Sequence, residues 1–247
     1  MSQISEESEE AKRPLDPKQV RNVKIFCILI GISNILCVVL MAIFWSIYDY
    51  FIILGMSVLG MAPAFIANAG MTFAGTFRGA GTPMDFGRNF IDGKRLFGKG
   101  KTWKGFFGGF LIGVAFSWLL VLIYPALIGA VNGGQWELVK QVTENELLTI
   151  FLQPTTSDLF WRIILLSIGA CLGDLIGSFF KRRTGRDRGE QFPLVDQLGF
   201  ILIAYLLAYP FFPMPWYYLL VICLFTPLIH VLANIVAYYI GKKDVPW

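Results

Sequence analysis

The chain has 247 residues, of which 55% are hydrophobic, and a net charge of +4 at neutral pH. Its mean hydropathy of +0.61 is far above that of a soluble domain. The apolar residues lie in long blocks instead of a periodic stripe, which excludes an ordinary soluble domain and predicts an integral membrane protein. The four cysteines fall in these blocks, and a single histidine, His230, excludes a His-based catalytic triad or zinc site.

The apolar blocks predict six membrane-spanning helices. A bilayer core of about 30 Å requires roughly 20 apolar residues per helix. Blocks of this kind lie at about 25–48, 50–74, 105–129, 159–180 and 199–240. The last block is too long for one span, and Pro210, Pro213 and Pro215 interrupt it, so it predicts two helices at about 197–213 and 216–240. The expected fold is an all-α, polytopic membrane helix bundle of about six helices.

The distribution of Lys and Arg predicts the orientation in the cell membrane. With the N-terminus in the cytoplasm, 19 of the 21 basic residues fall in cytoplasmic segments, as the positive-inside rule requires. These segments are 1–24, 75–104, 181–198 and 241–247. Both termini and the two long basic loops are therefore expected to be cytoplasmic.

The first basic loop, residues 75–109, is rich in glycine and cations and contains Asp85 and Asp92. Glycine lets backbone N–H groups approach phosphate oxygens, and Lys and Arg neutralise them. Aromatic residues are interleaved with the charges, which favours an ordered functional loop over the alternative, a flexible linker.

The second basic segment, residues 173–197, follows an apolar helix and carries two aspartates. Asp174, Ser178 and Lys181 are spaced i, i+4, i+7, so they lie on one helix face. Asp174 would lie about 9 Å below the helix end. A carboxylate at that depth needs a cation, which could be Lys181, in a purely structural pair, or a bound Mg²⁺. Asp196 is either a second metal ligand or a carboxylate favoured by a helix dipole.

The two segments together resemble a known family, the archaeal CDP-archaeol synthases, which are related to the CDP-diacylglycerol synthases. The segments read GTPMDFGRNFIDGKRLFGKGKTWKG (81–105) and GDLIGSFFKRRTGRDRGEQFPLVDQ (173–197). In the second, G-D, S-x-x-K-R and a later D-Q occur in the order of the wider superfamily. Gly199 stands where that superfamily usually has a further aspartate, so the number of metals is left open.

The resemblance implies a reaction and a domain organisation. The family transfers CMP from CTP to the phosphate of 2,3-bis-O-(geranylgeranyl)-sn-glycerol 1-phosphate, with Mg²⁺ as cofactor, giving CDP-archaeol and pyrophosphate. It also implies a five-helix core whose catalytic loops are cytoplasmic. Residues 1–23 would then be a disordered cytoplasmic tail, 24–49 an additional N-terminal helix, and 50–247 the catalytic domain.

Roles for individual residues follow from the same resemblance. Asp174 and Asp196 are expected to hold Mg²⁺, and Lys181 and Arg182 to stabilise the triphosphate and the transition state. These four are the candidate catalytic residues. The candidate nucleotide- and phosphate-binding residues are Thr82, Asp85, Arg88, Asp92, Lys94, Lys101, Lys104, Ser178, Arg186 and Arg188. Arg186 and Arg188 would hold pyrophosphate or the lipid phosphate.

Two other classes of function compete with this prediction. One is a different Mg²⁺-dependent membrane transferase that acts on a phosphorylated isoprenoid lipid, which a screen of donor substrates would separate. The other is a non-enzymatic transporter, which the absence of internal sequence repeats disfavours. The expected partners are CTP, a phosphorylated isoprenoid glycerol ether lipid and the bilayer. Nucleic acid is not expected, and a homodimer is left open.

Overall fold

The computed structural model describes residues 17–44, 46–77, 79, 81–123, 126, 155–186, 190 and 192–241. Within these ranges all of the regular secondary-structure elements are helices. Its helices are α1 (Pro17–Phe44), α2 (Ile47–Gly60), α3 (Ala62–Thr76), α4 (Trp103–Val121), α5 (Thr156–Arg183), α6 (Val195–Ala208) and α7 (Trp216–Tyr239). A 3₁₀-helix, Tyr209–Phe211, continues α6.

The helices make this a multi-pass membrane protein. Four of them, α1, α4, α5 and α7, are long and apolar enough to cross a membrane, and α2 and α3 meet the same criterion only when they are taken together as one bent pair. α6 with its 3₁₀ extension is a shorter apolar helix. The all-α bundle predicted from the apolar blocks is therefore confirmed. α1 begins at Pro17, a residue type favoured in the first helical turn, so 17–23 are helical and 1–16 of the expected tail lie outside the described residues.

The prediction of one continuous helix over 50–74 is wrong, because the chain bends by 56° between α2 and α3. Met61 ends α2, with its N–H donating to Ser57 O at 3.0 Å. Pro63 follows in the first turn of α3. A proline in that position has no N–H to donate to the carbonyl four residues earlier, and its ring displaces that carbonyl. The span is therefore broken at this point.

α3 and α4 pack closely through glycines. Gly105, Gly109 and Gly113 recur every fourth residue on α4, and all three are buried. A Cβ atom added at Gly109 would lie 2.3 Å from Met71 Cγ and 2.8 Å from Ala67 O, so only glycine fits there. Small residues at this spacing let two membrane helices approach to backbone contact. The close packing fixes the two ends of the loop that joins α3 to α4.

α5 and α6 are close antiparallel neighbours. A Cβ atom added at Gly173 would lie 2.6 Å from Gly199 O, and one added at Gly177 would lie 3.7 Å from Val195 O. In this register Asp174 lies opposite residue 198 or 199. Asp196 is therefore displaced from Asp174 by about 3–4.5 Å along the helix axis, at 1.5 Å per residue. The two aspartates lie at nearly the same level of the bundle.

The core lies between α2, α3, α5, α6 and α7, where Ile53, Leu166 and Ile201 are almost completely buried. α1 packs at the edge of this core. Its buried Asn34 donates through Nδ2 to Leu224 O of α7 at 2.9 Å. Most other side chains of α1 point outwards, as expected for a helix that faces lipid on most of its surface.

Candidate functional site

Two segments meet at one end of the bundle: residues 81–102 between α3 and α4, here called the α3–α4 loop, and the junction of α5 with α6. The α3–α4 loop closes on itself at its ends. Trp103 N donates to Thr82 O at 3.1 Å, and Met84 N donates to Lys101 O at 2.8 Å. Thr102 then caps α4 by accepting a hydrogen bond from Gly105 N at 3.1 Å. The loop is thus a defined structure anchored on the first turn of α4.

The carboxylate of Asp85 organises the interior of this loop. It forms a bidentate pair with Arg95, with Nη2–Oδ1 and Nε–Oδ2 distances of 2.8 and 2.9 Å. It also accepts backbone hydrogen bonds from Gly87, Phe97 and Gly98 at 2.8–3.2 Å. The hydrogen bond from Arg95, helped by these backbone donors against the effect of burial, holds the pKa of Asp85 well below its usual range. Asp85, expected to line a nucleotide site, makes these contacts within the loop.

Residues 88–96 of the loop form a small hairpin, here called hairpin 88–96. Phe90 N donates to Lys94 O at 2.8 Å, and Leu96 N donates to Arg88 O at 3.2 Å. The turn at its tip has Gly93 at a φ of 74°, where glycine avoids the strain of a side chain. The Asp92 side chain accepts from Lys94 N at 3.1 Å, which completes the turn.

Arg183, at the end of α5, attaches hairpin 88–96 to the helix. Its guanidinium donates to Lys94 O at 3.1 Å and to Arg95 O at 2.6 Å, and its Nε lies 2.8 Å from Asp92 Oδ2. It also lies 5.0 Å from the Phe90 ring centroid and 4.7 Å from that of Phe179. Lys94 Nζ donates in return to Arg183 O at 3.0 Å.

Asp174 is paired with a lysine from the other segment. Lys101 Nζ lies 2.5 Å from Asp174 Oδ2, and both side chains are 29% exposed. Lys181, the partner suggested by the i+7 spacing, binds elsewhere. The Ser178 hydroxyl donates to the backbone oxygen of Asp174 at 2.9 Å. The carboxylate thus joins α5 to the α3–α4 loop and is reachable from solvent.

Asp196 is the second acidic group of the site. Its Oδ2 accepts from Lys181 Nζ at 2.8 Å and from Phe192 N at 2.9 Å. The residue lies in the first turn of α6, where the helix dipole favours a negative charge. Its side chain is 26% exposed. Asp174 and Asp196 therefore each form an ion pair with a different lysine.

The remaining expected residues surround these two ion pairs or lie at the edge of the loop. Arg182 donates to Arg186 O at 2.6 Å and approaches Phe97 O at 3.4 Å, so it connects both segments. Arg186 lies 4.7 Å from the Phe192 ring centroid. Lys104 donates to the Phe77 and Gly79 carbonyls that follow α3. The Thr82 and Arg88 side chains are exposed, and Arg188 lies outside the described residues.

Two arginines of the site, Arg95 and Arg183, were not among the candidate site residues predicted from the sequence. Both are central to the geometry, because one holds Asp85 and the other holds the hairpin. Both belong to basic stretches that the positive-inside rule accounts for by itself. Nothing in their spacing distinguishes them from the neighbouring cations.

The acidic side chains of the site can hold a magnesium ion only if a substrate supplies further ligands. Across the described residues, no group of three or more His, Cys, Asp or Glu side chains could hold a metal. Mg²⁺ is usually bound by one or two carboxylates, with waters and substrate phosphates as further ligands. Asp174 and Asp196 provide two carboxylates that are partly exposed and lie at similar positions along the axes of α5 and α6. The cations around them suit the binding of a polyphosphate.

A multi-pass helical bundle with cations and carboxylates gathered at one end is typical of a membrane enzyme that acts on phosphorylated substrates. The comparisons with known proteins make this specific. A family model described as CarS-like, CDP-archaeol synthase matches residues 47–247. The chain belongs to this family.

Curated relatives cover most of the chain. A CDP-archaeol synthase of Methanocaldococcus jannaschii is 39% identical over 185 residues, which are 75% of this chain and 92% of the relative. One of Methanospirillum hungatei is 41% identical over 194 residues, which are 76% of this chain and 100% of the relative. A solved structure described as an intramembrane enzyme for archaeal membrane lipid biosynthesis is 30% identical, with a TM-score of 0.49, and the match covers 72% of this chain and 92% of that one.

Proposed function

We propose that this protein transfers CMP from CTP to the phosphate of 2,3-bis-O-(geranylgeranyl)-sn-glycerol 1-phosphate, giving CDP-archaeol and pyrophosphate. Membership of the family supports this reaction. The observation that carries it is the 2.5 Å contact between Lys101 and Asp174. That contact brings the two cationic segments together around two carboxylates, at the end of an apolar bundle where a nucleotide and a lipid phosphate can meet.

The chain needs to supply charge and orientation in this reaction. A phosphate oxygen of the lipid attacks the α-phosphorus of CTP, and the bond to the pyrophosphate oxygen breaks. A phosphomonoester has a second pKa of about 6 and is largely ionised at neutral pH, so no strong general base is required. Lys101, Lys181 and Arg182 would stabilise the negative charge on the triphosphate and the leaving group, and their position around Asp174 and Asp196 supports this role.

Mg²⁺ is the proposed cofactor, with Asp174 and Asp196 as its protein ligands. Bound there, the ion would neutralise triphosphate charge and promote departure of pyrophosphate. The near-equal level of the two aspartates on α5 and α6, fixed by the glycine contacts between these helices, supports the assignment. Both carboxylates are partly exposed and therefore accessible to an ion that arrives with the nucleotide.

The site is proposed to face the cytoplasm, where CTP is available. The concentration of Lys and Arg at this end of the bundle supports this orientation. The isoprenoid chains would lie between helices, in a groove that opens to the cytoplasmic leaflet, and the lipid phosphate would reach the cations at the end of α5.

A direct assay tests the reaction. Purified protein is incubated with labelled CTP, Mg²⁺ and a panel of lipid phosphates, and the products are analysed for a CMP-lipid and pyrophosphate. We expect transfer to the geranylgeranyl diether phosphate and none to the corresponding alcohol. Transfer from a UDP-sugar instead of CTP, or no transfer from either donor, would overturn the proposal.

The role of Asp174 is tested by replacing it with asparagine. Asp174→Asn removes the charge that would bind the ion, so we expect turnover to fall by about 100-fold or more while thermal unfolding is little changed. Asp158→Asn, at the opposite end of α5, is the matched control and should retain activity. Full activity of Asp174→Asn would refute the metal-binding role.

A further inference from the structure

The α3–α4 loop exposes large apolar side chains at two tips. Ile91, at the end of hairpin 88–96, is 95% exposed, and its neighbour Phe90 is 41% exposed. Phe86, in the preceding turn, is 64% exposed. Apolar side chains gathered at loop tips mark surfaces that contact another apolar phase. Their position on the bundle indicates which phase that is.

The hairpin lies on the outer face of α5. At 100° per residue, Ile176, Phe179, Phe180 and Arg183 fall within one face of this helix. Ile176 and Phe180 are 40% and 52% exposed, as expected for the lipid-facing surface of a membrane helix. The side chains that form the candidate site, such as Asp174, project from the opposite face. The outer face is therefore continuous with the surface that contacts the bilayer.

Phe90 reaches this outer face below the basic end of the helix. Its ring is 5.2 Å from that of Phe179, in an edge-to-face arrangement. Phe179 precedes Arg183 by four residues, so it lies about 6 Å deeper along the helix axis. The Phe90 ring therefore lies level with the last apolar turn of α5, while Asp92 and Lys94 of the same hairpin contact Arg183 at the basic end of the helix.

Phe86 makes a similar contact on α4. Its ring centroid is 6.4 Å from that of Trp103, and Trp103 stacks on Phe107 at 5.7 Å. Trp103 and Phe107 are 38% and 53% exposed on the first turns of α4. Tryptophan side chains such as that of Trp103 are enriched where membrane proteins meet the headgroup layer. The two tips of the loop thus both contact exposed aromatic residues near the loop-side end of a membrane helix, one on α5 and the other on α4.

We propose that the α3–α4 loop is a membrane-binding element whose apolar tips, Phe90 with Ile91 and Phe86, insert into the headgroup layer of the bilayer. The exposed cations Arg88 and Lys94 then lie where they meet lipid phosphates. The loop that carries Lys101 is held at the level of the headgroups, where the phosphate of a membrane lipid also lies. The partner of this surface is the lipid bilayer, and the inference does not depend on the chemistry of the site.

A photo-reactive side chain at the tip tests the insertion. Benzoylphenylalanine is introduced at position 91 in the full-length protein, which is irradiated in its native membrane, and the adducts are identified by mass spectrometry. The matched control carries the same group at position 99, an exposed position of the same loop without an apolar neighbour in the chain. We expect lipid adducts at 91 in several-fold excess over 99. Equal lipid labelling at both positions, or a cross-linked pair of chains instead of lipid adducts, would overturn the proposal.

A pair of substitutions provides a second measurement. Because Ile91 is 95% exposed, Ile91→Asp costs the protein little packing, so a large change in the hairpin reports mainly on contact between its tip and lipid. In nanodiscs we expect severalfold faster amide hydrogen exchange across hairpin 88–96 for Ile91→Asp, and wild-type exchange for Ile91→Leu. Identical exchange in the two variants would show that the tip is in water.

Discussion

Each carboxylate of the candidate site is neutralised by a lysine, and the two lysines come from different segments. Lys101 of the α3–α4 loop binds Asp174, and Lys181 of α5 binds Asp196. An ammonium group and a metal ion compete for the same carboxylate oxygens. A triphosphate offers these lysines an alternative anionic partner, so metal and nucleotide are expected to bind together.

Replacing Lys101 should therefore strengthen metal binding in the absence of nucleotide. Lys101→Met removes the competing charge next to Asp174, and we expect roughly tenfold tighter binding of Mn²⁺, used as a paramagnetic substitute, because the electrostatic cost of displacing the ammonium is lost. Electron paramagnetic resonance of free Mn²⁺ measures this directly. Lys99→Met, at an exposed position two residues earlier, is the control. Weaker binding in Lys101→Met would show that the lysine supports the metal.

Asp85 is expected to determine the stability of the loop and its dependence on pH. Its lowered pKa means that the carboxylate stabilises the folded loop fully above the ordinary aspartate pKa of about 4. This stabilisation is lost progressively as the pH falls below that value towards the lowered pKa. Asp85→Asn leaves Arg95 without its partner, and we expect a loss of about 3 kcal/mol in loop stability.

Two measurements check this behaviour of Asp85. Hydrogen exchange at neutral pH should be faster over residues 85–98 in Asp85→Asn and unchanged in Asp158→Asn. In acid titrations, the wild-type loop should lose its extra protection below about pH 4, while Asp85→Asn should show no such dependence. A wild-type loop equally protected on both sides of this pH would contradict the assignment.

At the level of single residues, the sequence indicated the two segments that meet in the candidate site but not the pairings between their side chains. Both segments were recognisable from their charges, glycines and family resemblance. The partner of Asp174 was not, because Lys101 is 73 residues away in the chain and only the packing of α4 against α5 brings them together. Spacing along one helix suggested Lys181 instead, and the close contact of α6 with α5 draws that lysine to Asp196.

At the level of the helices, the glycines of α4 determine how closely α3 can approach. Gly109→Ala would place a methyl group 2.3 Å from Met71 Cγ, and the helices would have to separate. We expect a loss of about 1–3 kcal/mol of stability, measured by denaturation in detergent micelles. Gly55→Ala in α2 is the matched control, because no atom lies within 4 Å of its added Cβ. A neutral effect of Gly109→Ala would mean that α3 and α4 are less tightly packed than described.

The helices were largely predictable because long apolar blocks leave few alternatives in a bilayer. The break between α2 and α3 was not predicted, because a single proline hardly changes the mean hydropathy of a long apolar block. Pro63 was the available signal, and its missing N–H is the physical cause. The interruption of the last apolar block was predicted correctly because three prolines lie there together.

At the level of the whole molecule, the orientation remains a prediction from charge. A cysteine introduced as Lys99→Cys in the α3–α4 loop should react with a membrane-impermeant maleimide only in inverted vesicles, because basic loops are retained in the cytoplasm. Asp158→Cys, at the other end of α5, should react only in right-side-out vesicles. Labelling of both positions from the same side would contradict the predicted topology.

The closure of the α3–α4 loop has a consequence for how this enzyme could be re-engineered. The hydrogen bond from Trp103 N to Thr82 O joins the two ends of the loop, and the Asp85–Arg95 pair holds its interior. The loop is therefore held by its own contacts at its ends and in its interior, and α5 contacts it through Asp174 and Arg183. A relative's loop could be grafted between α3 and α4 at these two points if it keeps the residues that meet Asp174 and Arg183, which would allow loops to be exchanged on one transmembrane scaffold.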